Sequence, residues 1–430
     1  MKHSSYLDKP QRHSGASTSG TPLVGAKNPR VAGLCSNPRL FSPQGTIATT
    51  RRVLVYIAIS VLFLASLAAP AYPVADAASA SIALSSSVQI AFPTTMTFKV
   101  HAQSDSNLTQ LRVHYKVARQ NVASVTSEGW AQFTPATTVD GQWVWDMRKS
   151  GLPPGAQVEY WWTAVDAAGK TAQTSTATVV FNDDRHTWQT INSGPITLEW
   201  YNGSQSFANS LLNAGVQGLQ RIGSDTGAIP QGQVLIYIYA SAQDLQSAQL
   251  FAQPWEGGVT FQGYNIIAIG VPTDQLSYGQ RAVPHELTHW IVGQITFNDF
   301  GAGLPTWLDE GLATYGEGTL SPDYQSALSS AIRNNQLISV RSLSSPFSAV
   351  AQQALTSYGE SNSIVTFMID TYGKAKMREL LGVFQQGSGY DEALQKVYGF
   401  NQDGLDSLWR KSLGLSSAVF EEPDWVIAAG

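Results

Sequence analysis

The sequence predicts a multidomain chain in which an N-terminal antiparallel β-sandwich precedes an α+β unit with a mostly helical C-terminal part. Three observations predict it. Residues 80–183 alternate apolar and polar side chains in short runs, the apolar spacing stretches to helical intervals after residue 204, and beyond residue 276 the pattern reads mostly as helices.

Ahead of these segments lies a leader. Residues 1–50 are rich in Ser, Gly, Pro and Thr without apolar periodicity and read as disordered. Residues 51–78 open with Arg51 and Arg52 and continue as VLVYIAISVLFLASLAA over 53–69. This run is a signal peptide or an N-terminal transmembrane anchor. The cleaved signal is favoured, because Pro70 and Pro73 break the helix and Ala75-Asp76-Ala77 offers a small-x-small cleavage pattern. Under either reading the basic residues stay cytoplasmic and the body lies outside, secreted or membrane-anchored. The 430 residues carry a net charge of −5, spread without runs, which excludes a nucleic-acid surface. Cys35 is the single cysteine and precedes the apolar run, so no disulfide closes within the chain. Any metal in the body must use His, Asp or Glu.

In MTFKVHA, Met96, Phe98, Val100 and Ala102 share one face of a strand. LRVHYKV repeats the pattern with Leu111, Val113, Tyr115 and Val117, leaving Arg112, His114 and Lys116 on the wet face. QWVWDM and VEYWWTAV follow, and their tryptophans read as core. LPPGAQVEYWWTAVDAAGKT resembles the late strands of fibronectin type III and immunoglobulin-like modules: Leu152 and Gly155 precede a strand bearing Tyr160, and an Asp-x-x-Gly turn (Asp166 to Gly169) follows. That resemblance implies an Ig-like sandwich over 80–183. His101 and His114 fall on polar, solvated strand faces, and His186 opens the connection between the units with no partner at ligand spacing.

The second unit spans 186–415, with a tail at 416–430. In SQSFANSLLNAGVQGLQRIG, Phe207, Leu211, Val216, Leu219 and Ile222 fall at helical intervals, with Ser204 or Ser206 as cap and Gly223 as stop. QVLIYIY and YNIIAIGV read as strands, and Gly257 to Phe261 between them as an edge strand.

The chemistry concentrates in RAVPHELTHWIVGQ, residues 281–294. His285 and His289 are i and i+4, so on a helix both imidazoles leave one face and can reach one zinc. Glu286, rotated about 100° around that helix, stands beside the metal as a general base. Pro284 predicts a helix start or a kink. A second stretch, PTWLDEGLATYGE over 305–317, places Glu310 twenty-one positions after His289 on a short helix that Thr306 can cap. Alone, Glu310 reads as a surface carboxylate; beside the upstream motif it reads as the third ligand of a catalytic site. Gly311 is costly inside a helix and predicts a close backbone neighbour.

PHELTHW followed by WLDEGLATYGE resembles the gluzincin metallopeptidases, which include thermolysin-like and aminopeptidase N-like enzymes. Residues 186–415, with SYGESNSIVTFMIDTYG on a later helix, look closest to the peptidase MA-like domains of bacterial envelope proteins. The resemblance implies a thermolysin/aminopeptidase N-like fold, one Zn2+ held by His285, His289 and Glu310, Glu286 as general base, and a peptide or protein substrate cleaved through a zinc-activated water. Val292 and Ile295 stand where a metzincin has Gly and His. Thr260 falls where aminopeptidases of this group place the Glu that holds a free amine, which favours an endopeptidase or an unusual exopeptidase specificity. Tyr358 is the candidate oxyanion donor. The competing reading is an envelope-associated binding protein whose peptidase-like part is catalytically weak or silent.

Overall fold

The structure is a computed structural model that describes residues 81–120, 123–252, 257–298 and 303–415. All of them fall within the second of the chain's two units, Val74–Gly430. The leader, the apolar run 53–69 and the tail lie outside the described residues. Among the described residues no helix is long and apolar enough to cross a membrane.

The chain begins with β1 (Ala83–Ala91), β2 (Thr95–Gln103), β3 (Leu108–Val117), β4 (Ser127–Trp130), β5 (Thr138–Asp146), β6 (Ala156–Asp166), β7 (Thr171–Gln173) and β8 (Ala177–Phe181). They form two antiparallel sheets. One has the order β1-β2-β5; the other has β4-β3-β6-β7, with β8 also paired to β6. The period of two in the sequence decides which side faces in. Met96, Phe98, Val100 and Ala102 of β2 are buried, as are Leu111 and Val113 of β3 and Val158, Tyr160 and Trp162 of β6. Phe98 meets Tyr160 edge-on across the two sheets, with centroids 5.1 Å apart. Trp145 and Trp162 are core, while Trp161 is half-buried on the outer face and stacks on His114.

A third sheet follows. Its members are β9 (Gln189–Ser193), β10 (Ile196–Trp200), β11 (Val234–Tyr239), β12 (Gly258–Phe261) and β13 (Ile266–Gly270), in the order β12-β13-β11-β10-β9. β10, β11 and β13 run parallel, and β9 and β12 close the two edges antiparallel. Both faces are covered at β11 and β13, so these two strands are apolar in sequence, whereas β10 alternates and leaves Thr197 and Glu199 half-buried. Ile236 and Ile238 of β11 and Ile267 and Ile269 of β13 join the core beneath the helices. Their neighbours Tyr237, Tyr239, Ile266 and Ala268 join the core of the N-terminal sheets.

The helices are α1 (Gln205–Thr226), α2 (Ala242–Ser247), α3 (Leu276–Thr296), α4 (Thr306–Gly316), α5 (Pro322–Arg333), α6 (Ala351–Tyr372), α7 (Lys374–Gln385), α8 (Tyr390–Tyr398) and α9 (Gln402–Ser412). Three local expectations are corrected. Ser204 caps α1 by accepting from Phe207 N, but the helix runs through Gly223 and stops at the left-handed Gly227. Thr306 is the first residue of α4 rather than its cap; Pro305 holds the cap position, and the Thr306 hydroxyl donates to Ser344 O. Pro284 does not start α3, which begins at Leu276 and carries the proline inside. An interior proline costs about 3 kcal/mol. Burial of Val283, Leu287, Trp290 and Ile291 on the same helix offsets it, at roughly 1.5–3 kcal/mol per large apolar side chain.

Candidate metal centre

α3 and α4 pack against each other and bring the two sequence motifs together. His285 and His289 leave one face of α3, and their Nε2 atoms stand 3.2 Å apart. Glu310 reaches them from α4: its Oε2 lies 3.4 Å from His285 Nε2 and 3.5 Å from His289 Nε2. Four donors placed tetrahedrally at 2.0–2.1 Å from zinc would stand about 3.3–3.4 Å apart. The observed triangle has those edges. Glu310 Oε2 is buried and accepts no hydrogen bond from the chain, a costly state for a carboxylate oxygen unless a cation satisfies it. A donor set of two imidazoles and one carboxylate, with the fourth direction left over, fits zinc in a hydrolytic site.

Two further acids orient the imidazoles. His285 Nδ1 donates to Glu317 Oε1 at 2.9 Å, and His289 Nδ1 lies 3.2 Å from Asp309 Oδ1. Each contact occupies Nδ1 and turns Nε2 toward Glu310, the usual way a ligating histidine is fixed. Asp309 and Glu317 are the residues that sequence reasoning missed. The signal was present: they flank Glu310 at −1 and +7, Asp309 on α4 and Glu317 at its C-cap in helical backbone conformation, and the seven-residue step returns Glu317 to the face of Glu310.

The electrostatics follow from this crowding. Burial pushes the His285 imidazole down, but the nearby carboxylates of Glu310 and Glu317 prevail and raise it to about 9. His289 is likewise held well above its ordinary value: burial opposes the rise, and the charges of Asp309 and Glu310 drive it. Glu310 sits far below the usual carboxylate range, since the two imidazoles outweigh a burial effect of opposite sign.

Glu286, next to His285 on α3, meets strand β12. Its Oε2 accepts a hydrogen bond from Thr260 Oγ1 of β12 at 2.8 Å. Tyr358, on α6, has its ring centroid 6.3 Å from that of His285 and packs against Tyr324 and Phe347. Burial, followed by the charge of Glu310, raises its phenol above the normal range, so it stays protonated. The chain thus brings His285, Glu286, His289, Glu310 and Tyr358 into one neighbourhood. His186 lies apart, stacked on Tyr201 at 3.8 Å.

Gly311 permits the approach of α4 to α6. A Cβ there would stand 2.6 Å from Ser361 O and 2.6 Å from Val365 Cγ2. Gly311→Ala is therefore expected to destabilise the chain by about 1–3 kcal/mol. It is also expected to lower zinc content by displacing the adjacent Glu310. Thermal unfolding together with metal analysis checks both; an unchanged melting temperature would contradict the packing.

Residues 214–414 match the family model described as the Peptidase MA superfamily, a match that begins within α1, ends just past α9 and supports a peptidase-like part there. No curated protein matches the chain. Similar solved structures include OgpA from Akkermansia muciniphila, at 10% identity over 24% of this chain and 28% of that one, with a TM-score of 0.19. A β-1,3-glucan binding domain of carbohydrate-binding module family 56 aligns at 18% identity over 23% and 98%, with a TM-score of 0.15. The putative ApaA protein from Bordetella pertussis aligns at 11% identity over 25% and 98%, with a TM-score of 0.19. At such scores these likenesses carry no argument about fold or activity.

Proposed function

We propose that this chain is an extracytoplasmic zinc-dependent metallopeptidase that cuts within polypeptides, with His285, His289 and Glu310 as the ligands of one Zn2+. The observation that carries the reading is the triangle of three donor atoms with edges of 3.2, 3.4 and 3.5 Å around an unsatisfied carboxylate oxygen.

When bound, zinc supplies Lewis acidity that lowers the pKa of a water and polarises the scissile carbonyl. The remaining work falls to the chain. Glu286, adjacent in sequence to a ligand yet turned off the metal face, takes the proton of the attacking water and returns it to the leaving amine. Tyr358 donates a hydrogen bond to the carbonyl oxygen as it gains charge. Among the described residues β12 pairs with β13 alone, so an extended substrate can add as a further strand on its other side. Thr260 offers a hydroxyl where an aminopeptidase would offer a carboxylate to a free amine, which supports cleavage inside a chain. The export reading rests on residues 51–78, and N-terminal sequencing of the exported protein tests it. A chain starting at residue 78, just past Ala77, would mark a cleaved signal, and an intact residue 1 a retained anchor.

The experiment is hydrolysis of a denatured protein by the purified exported chain, with and without a chelator. Cleavage that stops on chelation and returns with zinc is the expected outcome. Stoichiometric zinc with no cleavage across a broad peptide library would instead favour the binding-protein reading.

A further inference from the structure

Strand β12 does more than present an edge to substrate. Residues 258 and 260 share one face of it, two positions apart, and both meet the carboxylate of Glu286. The Thr260 hydroxyl lies 2.8 Å from Glu286 Oε2 and 2.9 Å from the Glu286 backbone carbonyl. Its single proton goes to the carboxylate, because a charged acceptor makes the stronger bond and the carbonyl, inside α3, already serves the helix ladder. At residue 258 the strand supplies space instead of a bond. A Cβ on Gly258 would stand 2.7 Å from Glu286 Oε1 and 3.2 Å from its Cδ, so any larger residue would evict the carboxylate. Oε1 itself accepts no hydrogen bond among the described residues, whereas Oε2 is committed.

We propose that Thr260 is the positioning residue for the catalytic base: it pins Glu286 Oε2 so that Oε1 alone is presented for proton transfer, in a socket that Gly258 keeps open. This rests on the peptidase reading above. It also accounts for a threonine at this place in β12, since the hydroxyl serves the base and leaves no carboxylate to hold a substrate amine. A consequence is that the strand offered to substrate and the strand that aims the base are one element. Substrate register and base position are thereby coupled.

The test uses the full chain in three forms. Thr260→Val keeps the shape and removes the hydroxyl; Thr260→Ser restores it; Gly258→Ala fills the socket. With zinc content equal to wild type, Thr260→Val is expected to lower kcat about 10- to 100-fold while KM stays within about twofold. Thr260→Ser should recover most of that loss. Gly258→Ala should show the same kcat-only defect and keeps the question open to measurement if the valine variant does not fold. A crystal structure of the metal-free Thr260→Val chain gives a readout independent of turnover, and the Glu286 carboxylate is expected to leave its position there. An unmoved carboxylate, or a kcat equal to wild type, overturns the proposal, as does a defect confined to KM. A wild type that cleaves nothing would sink the peptidase reading alone, because the position of Glu286 in the metal-free variant still decides whether the socket exists.

Discussion

Glu286→Gln is expected to bind zinc as the wild type does and to lose about 10²- to 10⁴-fold in kcat, the usual contribution of a positioned general base. The geometry separates the two functions. None of the metal-facing atoms belongs to Glu286; they are the Nε2 atoms of His285 and His289 and Oε2 of Glu310. The amide of glutamine occupies nearly the volume of the carboxylate, and its oxygen can still accept from Thr260 Oγ1, so the fold and socket should survive. The amide cannot take a proton from water near neutral pH, and that single property is removed. Metal analysis and steady-state cleavage of one peptide, run in parallel, make the check. Loss of zinc in Glu286→Gln would place the residue on the metal and contradict the assignment. Full activity would remove Glu286 from the chemistry and leave the base unidentified.

The sequence made the site legible where the signal was local. Two histidines one turn apart need nothing but a helix to share a face, and a helix was plain from the spacing around them. Gly311 was legible too, as a residue whose cost called for a close neighbour, and Ser361 is that neighbour. What escaped was long-range in the chain. Asp309 and Glu317 acquire their meaning only when α4 lies against α3, and Thr260 meets Glu286 across twenty-six residues. Of the two readings of Pro284, a helix start or a kink, the start is the one the fold overrides. The local rule, that proline breaks a helix, is sound, yet four buried apolar side chains around Pro284 hold α3 continuous from Leu276. The apolar runs of β11 and β13 could be read as buried strands, but not that their two faces would serve two different cores.

Zinc uptake is expected to compete with protons across the physiological range. In the metal-free chain His285 titrates near 9, and His289 is also raised, because carboxylates surround both. Each imidazolium must lose its proton before Nε2 can ligate. For His285 at pH 7 this costs about two pH units of affinity, or roughly 3 kcal/mol. Apparent zinc affinity should therefore rise at least tenfold per pH unit from 6 to about 9, more steeply where both histidines release a proton. Calorimetric titration in two buffers of different ionisation enthalpy should count between one and two protons released per zinc at pH 7. Stability gives the complementary sign. An imidazole whose folded value is raised from 6.5 to about 9 stabilises the metal-free fold fully below 6.5, and that contribution is lost as pH rises through 9. The metal-free melting temperature should fall over this window, while the zinc-loaded chain, whose imidazoles are already neutral, should not follow it. An affinity that is flat from pH 6 to 8 would mean that the carboxylates do not hold the pair protonated. In that case Glu317 and Asp309 would not be oriented on the imidazoles as the structure places them.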